Sequence, residues 1–317
     1  MLKTIRLAVL SIVITSPPIG IGAAYADPLK VVASFSIIGD FAKNVGGDRI
    51  ELTTLVGPDG DAHVYEPKPM NAAAMAEADV VLVNGLHFEG FLQRLVEASA
   101  SKATIVELTK GIEPIQVRQE HAHAEDGETH ETESDHQHDH GGIDPHAFQS
   151  IANARIYVKN IADAFCAADS EGCDSYRSNA ETYQKKLNEA EAEVRAAVAS
   201  IPQERRVIIT SHDAFGYFAH EYGITFLAPE GISTEAEASA ADVAALIKQV
   251  REDKASAIFV ESITNARLIE QIATETGLKI GGTLYSDALS DASSPAPTYI
   301  DMMKHNITTI KNAALGS

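Results

Sequence analysis

Two patterns of apolar residues alternate along the first part of the chain, namely short continuous runs and residues at helical spacing. Short apolar runs at 30–34, 50–55, 78–83 and 103–108 have the length of buried strands. Between the first two runs, apolar residues from 37 to 45 recur at helical spacing, and a Gly-Gly pair then ends the helix. Strands that alternate with helices in this way predict βαβ units around a parallel sheet.

The same alternation returns in the last third of the chain. We therefore predict a second lobe built like the first, which makes the fold α/β with two (β/α) lobes and parallel sheets. The strand-length apolar runs lie at 206–210, 224–227, 257–260 and 279–282, and the helical patterns lie at 240–252 and 266–276.

A long helical pattern separates these two regions. Residues 176–199 are rich in Ala, Glu and Lys, contain no Gly or Pro, and place apolar side chains along one stripe. At about 1.5 Å per residue this helix is over roughly 30 Å long, which is enough to join two lobes as a rigid backbone helix. A long surface helix has the same pattern. The predicted organisation is a signal peptide at 1–26, a first lobe at 27–150, linker helices at 151–202 and a second lobe at 203–317.

The N-terminus has the pattern of a secretory signal. Lys3 and Arg6 precede a short apolar run, and Ala24-Tyr25-Ala26 offers small residues for cleavage after Ala26. The apolar run is too short to span a bilayer, and no Cys follows the cleavage point to carry a lipid. We therefore expect an exported, periplasmic protein without a lipid anchor.

Composition limits the kinds of binding partner, and the expected compartment predicts the redox state of the two cysteines. A formal net charge of -20 disfavours nucleic acid and anionic membranes as partners and is compatible with binding a cation. An exported chain meets an oxidising compartment, so Cys166 and Cys173 are predicted to form a local disulfide. A thiolate metal site is the alternative, although the chain has no further Cys to complete one.

The segment at 119–142 differs from the rest of the chain because two alanines are its only apolar residues. Burial cannot offset the entropy of ordering such a segment, so we predict a disordered loop within the first lobe. His-rich tracts commonly bind metal, and we expect weak secondary metal binding here. The histidines concerned are His121, His123, His130, His136, His138 and His140.

Outside this loop, three histidines and one aspartate lie in distinctive contexts. His63 lies in a turn-rich segment after a strand, and His146 follows the acidic loop in an Asp-Pro-His sequence. His212 and Asp287 each follow a predicted strand of the second lobe. Ligands collect at the carboxyl ends of parallel strands, and three imidazoles with one carboxylate make a four-ligand metal site. Taken singly, each residue is more often a surface or core residue, and no two share a short ligand spacing.

Five stretches carry a resemblance to a known family. They are GPDGDAHVYEPKP, DPHAF, TSHDAFGYFAHEYG, IFVESITNARLIEQIATETGLKI and LYSDALS. In these stretches, and in their order over nearly all the chain after the signal, the sequence resembles the cluster A-I (cluster 9) metal-binding solute-binding proteins of ABC importers. The resemblance implies two α/β lobes joined by one rigid helix, with the metal in the cleft between the lobes.

The resemblance also implies a ligand set and a partner. Carried over by position, the ligands are His63 and His146 from the first lobe and its linker, with His212 and Asp287 from the second lobe. The partner is the membrane permease of an ABC importer. A periplasmic metallochaperone is a candidate metal donor for the loop, and we expect the protein itself to be a monomer.

The ligand types favour zinc. Manganese-binding members of the family commonly have a Glu at the third position, where this chain has His212, and imidazole suits zinc whereas oxygen ligands suit manganese. Zinc-specific members of the ZnuA/AztC type resemble this chain in their His-rich insertion, and AztC-like members also supply an Asp as fourth ligand. Manganese or another divalent metal is the alternative.

Two further residues are candidates for outer positions around the metal. Glu261 ends a strand that faces the same cleft, and it is predicted to orient a ligand histidine through the second ring nitrogen. A structural carboxylate is the alternative for Glu261. His87 follows an Asn-Gly pair and precedes an acidic residue, and it is predicted to pack against the site or to contact a ligand.

A binding protein is favoured over an enzyme. Four protein ligands leave no open coordination position, so the predicted function is high-affinity zinc binding and delivery to the permease rather than catalysis. A zinc-dependent hydrolase is the less favoured alternative, since it requires an open position and a base such as Glu261, and the chain has no His-Glu-x-x-His helix. The missing lipid-attachment Cys disfavours an adhesin-like surface protein.

Overall fold

The computed structural model describes residues 27–117 and 142–316 of the 317-residue chain. The predicted signal peptide at 1–26 lies outside the described residues, and so does the predicted His-rich loop apart from Gly142. Within the two described ranges, no helix combines the length and the apolar character needed to cross a membrane.

The first lobe is a parallel sheet packed against helices. Its elements are β1 Leu29–Phe35, α1 Ser36–Gly46, β2 Ile50–Val56, α2 Pro69–Glu77, β3 Val80–Val83, α3 Leu92–Ser99 and β4 Thr104–Glu107. The strand order is β2-β1-β3-β4. The central strands β1 and β3 are buried along most of their length, whereas β4 at the edge is mostly exposed. Burial on both faces explains why the central strands are continuous apolar runs in the sequence.

Two long helices follow the first lobe. They are α4 Ile151–Ala168 and α5 Cys173–Ala199. Asn179 of α5 donates a hydrogen bond to the carbonyl of Val45 in the first lobe at 3.0 Å. Farther along α5, Glu191 accepts a hydrogen bond of 2.7 Å from the hydroxyl of Tyr222, which belongs to the second lobe. The predicted backbone helix is therefore α5, which begins at Cys173 rather than at residue 176.

The second lobe repeats the architecture of the first, and a final helix follows it. Its elements are β5 Val207–Ile209, α6 Gly216–Tyr222, β6 Thr225–Leu227, α7 Ala240–Glu252, β7 Ala257–Glu261, α8 Ala266–Thr276, β8 Ile280–Leu284 and α9 Tyr299–Leu315. The strands are parallel in the order β6-β5-β7-β8. Both sheets are parallel and helices pack against them, so the prediction of two α/β lobes is confirmed.

One apolar core extends across both lobes. It includes Phe41 of the first lobe, Leu187 of α5, Phe259 of β7 and Met302 of α9. A smaller core lies between the second sheet and the helices α7 and α8. Because the lobes share the larger core, packing determines their relative position, and they are not joined by a flexible linker.

The predicted disulfide between Cys166 and Cys173 is confirmed, and it joins the last turns of α4 to the first residue of α5. Replacing both with serine is expected to lower the free energy of unfolding by about 2–3 kcal/mol, because the closed loop is short. Urea denaturation of the variant and of the wild-type protein measures this difference. Zinc affinity is expected to stay unchanged, and an equal free energy of unfolding in the two proteins would contradict a stabilising role.

Candidate metal centre

Four side chains from distant parts of the chain converge between the two lobes. One nitrogen or oxygen atom of each lies within 4.8 Å of the corresponding atom of every other. The exposed fraction is 7% for His63 and 0% for the other three residues. We call this group the His3Asp cluster, and its members are His63, His146, His212 and Asp287.

Each member of the cluster lies where a regular element begins or ends. His63 follows β2, His212 follows β5, and Asp287 follows β8. These three residues lie beyond the carboxyl ends of parallel strands, where ligands collect in α/β folds. His146 immediately precedes the short turn that leads into α4. Both sheets therefore direct their carboxyl ends towards the same cleft.

The spacing of the four side chains fits a single metal ion. His63 Nε2 lies 3.3 Å from His146 Nε2 and 3.2 Å from Asp287 Oδ2. Asp287 Oδ2 lies 3.0 Å from His212 Nε2, and Asp287 Oδ1 lies 3.6 Å from His146 Nε2. A tetrahedron with zinc–ligand bonds of about 2.0–2.1 Å has edges of about 3.3–3.4 Å. Asp287 Oδ1 is buried and has no hydrogen-bond partner among the described residues, which leaves its lone pairs available to a cation.

The same local contact, a hydrogen bond from the backbone N–H of the histidine to a nearby aspartate, positions both His63 and His146. Asp61 accepts a hydrogen bond from the backbone N–H of His63 at 2.9 Å, and Asp144 accepts one from the backbone N–H of His146 at 2.9 Å. Each aspartate lies two residues before its histidine. Asp144 Oδ1 also lies 2.8 Å from His146 Nδ1. This contact leaves Nε2 of His146 free to face the cluster, as carboxylate partners of metal-bound histidines do.

Glu261, the last residue of β7, holds the histidine of the second lobe. Its Oε1 accepts hydrogen bonds from the backbone N–H groups of Ser211 at 2.7 Å and His212 at 2.9 Å. Its Oε2 lies 2.7 Å from His212 Nδ1. Glu261 thus lies where an orienting carboxylate was expected from the sequence.

Burial and opposite charges act against each other in the metal-free cluster. Burial lowers the pKa of His146, but the charges of Asp287 and Asp144 outweigh it and raise that pKa to about 9. Burial also opposes the charged form of His212, and Glu261 and Asp287 outweigh it and raise the pKa of His212 well above its usual value. Burial raises the pKa of Asp287, yet His146 and His212 hold it well below its usual range. The metal-free cluster therefore holds protons at neutral pH, and a metal ion has to displace them.

Aromatic rings, rather than His87, form the apolar wall beside the cluster. The Phe88 ring centroid lies 4.8 Å from that of His63 and 5.6 Å from that of His146, and Phe148 lies 5.9 Å from His146. The side chain of His87 is exposed, and its backbone φ of 64° forms part of a left-handed turn after which Phe88 is buried. This corrects the expectation for His87, because Phe88 occupies the position against the site.

Three residues around the cluster were missed in the sequence, namely Asp61, Asp144 and Phe88. The two aspartates carry a readable signal, because the pattern Asp-x-His occurs at both histidines of the first-lobe side. Phe88 carries none, since an aromatic residue beside a polar one does not reveal which of the two points inward.

Replacing Glu261 with glutamine is expected to weaken zinc binding by about 10–100-fold, which is the usual effect of losing an outer partner of a ligand histidine. Glutamine keeps the size and one carbonyl oxygen but loses the charge beside His212 Nδ1. Competition titration against a chromophoric chelator measures the affinity. Glu270→Gln on the exposed face of α8 is the matched control. Equal affinities for the two variants would contradict an orienting role.

Comparison with known proteins adds a family and several relatives. A family model described as "ZnuA: Zinc-uptake complex component A periplasmic" matches residues 31–313. The manganese-binding lipoprotein MntA of Halalkalibacterium halodurans is 35% identical over 281 residues, covering 89% of this chain and 87% of that protein. The iron-binding protein YfeA of Yersinia pestis is 32% identical over 286 residues, covering 90% of this chain and 86% of that protein.

The solved structures that superpose on this chain are also of metal-binding proteins. The periplasmic zinc-binding protein TroA from Treponema pallidum superposes with a TM-score of 0.79 at 30% identity, covering 91% of this chain and 99% of that chain. The Mn-bound periplasmic metal-binding protein from Candidatus Liberibacter asiaticus superposes with a TM-score of 0.76 at 31% identity, covering 90% of this chain and 98% of that chain. The described relatives therefore share the fold but differ in the metal that they are named for.

Proposed function

The chain belongs to the ZnuA family of metal-binding substrate-binding proteins of ABC transporters, and on that premise we propose that the His3Asp cluster binds one zinc ion for import. Members of this family work with the permease components of an ABC transporter. The metal is therefore cargo. The family consists of transport proteins rather than enzymes, so the zinc hydrolase alternative is not retained.

The chemistry of the donor set supports zinc. Three imidazole nitrogens and one carboxylate are typical of four-coordinate zinc, whereas manganese prefers oxygen ligands and higher coordination. The observation that carries the proposal is the convergence of one ligand atom from each of the four buried side chains to within 4.8 Å of the others, with contacts as short as 3.0 Å. All four side chains are buried, as expected of a closed site with four protein ligands.

Manganese is the second candidate, because several relatives are named for it. The MntA proteins of Halalkalibacterium halodurans and Bacillus subtilis are both described as manganese-binding lipoproteins. A related solved structure holds manganese, whereas TroA is described as zinc-binding. The fold thus accommodates both metals, and the choice between them for this chain rests on the donor types of the cluster.

Metal analysis of the full-length protein, purified from its native compartment, tests the proposal. One equivalent of zinc per chain, held at least about 100-fold more tightly than manganese in chelator competition, is the expected result. Manganese as the principal bound metal would favour the second candidate. Protein that contains neither metal and binds neither in titration would contradict metal binding by the cluster.

The descriptions of the relatives also concern the cellular compartment in which such proteins act. They are described as periplasmic proteins or as lipoproteins. For this chain we propose a periplasmic protein released by cleavage of the signal peptide at 1–26. Mass spectrometry of the exported protein tests this, with a mature N-terminus at Asp27 as the expected result.

We also propose that the His-rich segment collects zinc weakly and passes it to the cluster, with a periplasmic metallochaperone as a donor. Its six histidines support this role. A tethered donor beside the cleft presents metal at an effective concentration of about millimolar. The residues on either side of the segment are adjacent, since Val117 N–H donates to the carbonyl of Gly142 at 2.9 Å, so a shortened segment closes without strain.

Replacing residues 119–141 with a short Gly-Ser linker is expected to leave the affinity of the cluster unchanged, because no member of the cluster is removed. Total zinc per chain is expected to fall, and loading from a chelator is expected to slow. A variant with the six histidines changed to serine, at full length, separates the histidines from the length of the segment. Unchanged stoichiometry and loading rate in both variants would contradict the proposed role.

A further inference from the structure

The first residue of α6, Gly216, lies against the carboxylate of Asp144, which contacts the ligand His146. A methyl group placed on Gly216 would lie 3.4 Å from Cγ of Asp144 and well under 3.0 Å from its Oδ2. Side-chain carbon atoms do not approach a neighbouring atom to less than 3.0 Å, so a side chain at position 216 would require the carboxylate to move. Asp144 is buried, which limits the positions that its carboxylate could take instead.

One residue fixes the spacing between α6 and Asp144. The N–H of Ile115 donates to the hydroxyl of Tyr217, the residue after Gly216, at 3.1 Å. The carbonyl of Ile115 accepts a hydrogen bond from the N–H of Asp144 at 2.9 Å. Ile115 is therefore bonded to both sides of the contact, and the helix and the backbone of Asp144 cannot separate without straining one of these hydrogen bonds.

The far end of α6 is held as well. The hydroxyl of Tyr222, the last residue of the helix, donates to Glu191 of α5 at 2.7 Å and accepts from the N–H of Ile151 at 3.3 Å. The side chain of Phe218, between the two ends, is fully buried. Because the helix is fixed in this way, a side chain at position 216 is expected to displace the carboxylate rather than the helix.

The carboxylate of Asp144 is also the group whose displacement affects the metal site. Its Oδ1 accepts a hydrogen bond from the backbone N–H of His146 at 2.9 Å and lies 2.8 Å from His146 Nδ1. Both contacts depend on one oxygen atom, so a rotation of the carboxylate away from α6 disturbs them together. His146 would then lose the partner that leaves its Nε2 facing the cluster.

The backbone does not explain why position 216 is a glycine. The φ angle of Gly216 lies outside the left-handed region, so other residues can adopt it. Within a helix, alanine is more favourable than glycine, since it has the higher helix propensity and restricts the unfolded chain more. The close approach of Asp144 is a reason for glycine that the backbone does not provide.

We propose that Gly216 is a positioning residue for zinc binding, because the absence of a side chain there keeps the Asp144 carboxylate on His146. Nε2 of His146 then faces the cluster, 3.3 Å from His63 Nε2. The second lobe thus takes part in orienting a ligand that precedes α4. This inference rests on the proposed function, since it concerns one ligand of the same cluster.

Gly216→Ala in the full-length protein tests this role. Zinc affinity is expected to fall by about tenfold, as on loss of an outer partner of a ligand histidine. Gly231→Ala is the matched control, because Gly231 is an exposed glycine of the same lobe at which an added methyl group meets nothing within 4 Å. Competition titration with a chelator measures both variants, and circular dichroism confirms that each is folded.

A double-mutant cycle separates positioning from a general effect on the fold. Asp144→Ala removes the carboxylate that a methyl group at position 216 would meet, and it is expected to weaken zinc binding by itself. In that background Gly216→Ala is expected to have no further effect, so the two changes are not additive. The visible spectrum of bound Co²⁺ depends on the coordination geometry, and it is expected to change in Gly216→Ala but not in Gly231→Ala.

The possible results separate this inference from the proposed function. Wild-type zinc affinity in Gly216→Ala would overturn the positioning role, and so would a further tenfold loss when Gly216→Ala is added to Asp144→Ala. Zinc binding that is equally tight in His146→Ala and in the wild-type protein would instead overturn the proposed function, because the cluster would then not be the site.

Discussion

Replacing Asp287 with alanine is expected to weaken zinc binding by more than about 100-fold, which exceeds the effect of losing an outer partner of a ligand. Asp287 provides the only carboxylate of the cluster, and its side chain is 0% exposed. Its oxygens lie 3.0–3.6 Å from the nitrogens of all three histidines. Its removal therefore eliminates one ligand and the negative charge that offsets the charge of the metal.

The matched control is Asp291→Ala, which removes a carboxylate from an exposed position of the same segment. Competition titration with a chelator measures both variants, with circular dichroism to confirm that each is folded. Asp287→Asn is expected to bind zinc more weakly than the wild-type protein, since a neutral amide oxygen is a poorer ligand for the cation. Wild-type affinity in either Asp287 variant would contradict the assignment of this ligand.

The apparent zinc affinity is expected to rise by at least about 100-fold between about pH 6.5 and pH 8.5. Zinc binds neutral imidazole, and the pKa of His146 in the metal-free cluster is raised to about 9. Below that pH each zinc ion has to displace a proton from His146, so affinity increases about tenfold per pH unit until the pKa is passed. The pKa of His212 is raised as well, which steepens the dependence. An ordinary histidine would give a plateau from about pH 6.5 upward.

Chelator competition at three pH values, corrected for protonation of the chelator, measures this dependence. Calorimetry in two buffers of different ionisation enthalpy counts the protons released. Asp144→Asn removes one of the charges that raise the pKa of His146, so its profile is expected to be shallower. A constant affinity above pH 7, with no proton released, would contradict the shift.

The same shift affects the stability of the metal-free protein. A histidine whose pKa is higher in the folded than in the unfolded chain stabilises the fold below the unfolded pKa, and this stabilisation is lost as the pH rises through the folded pKa. For His146 the loss falls between about pH 6.5 and pH 9. Raising the pH over that range therefore destabilises the metal-free protein while it strengthens metal binding.

Much of the fold could be predicted because local signals mark its elements. Helices α7 and α8 agree at both ends with the helical patterns at 240–252 and 266–276. Ser239 and Asp242 form a capping box at the start of α7, and Gly277 ends α8 in the left-handed conformation. Strand ends were less accurate, because the hydrophobic runs continue past the last paired residue, as at 103–108 around β4.

The site was predictable as a set of residues but not as an arrangement. Each cluster residue occurs in a motif, whereas its partners depend on contacts between distant parts of the chain. The hydrogen bond from Leu289 to Ser36 joins residues 253 positions apart, and no local pattern indicates it. Contacts of this kind, made between distant parts of the chain, are the part of the site that the sequence could not provide.

The shared apolar core constrains the order in which the chain acquires its structure. Helix α1 is among the first elements to be synthesised, yet the ring of its Phe41 packs against that of Tyr299 on α9, with centroids 4.7 Å apart. Until α9 has been made, Phe41 lacks part of its cover, and the first lobe remains incomplete. Contacts so distant in sequence slow folding and leave apolar surface open to chaperones in the meantime. For a chain that we propose to be exported, this delay keeps the nascent protein in a state that can still be threaded across a membrane.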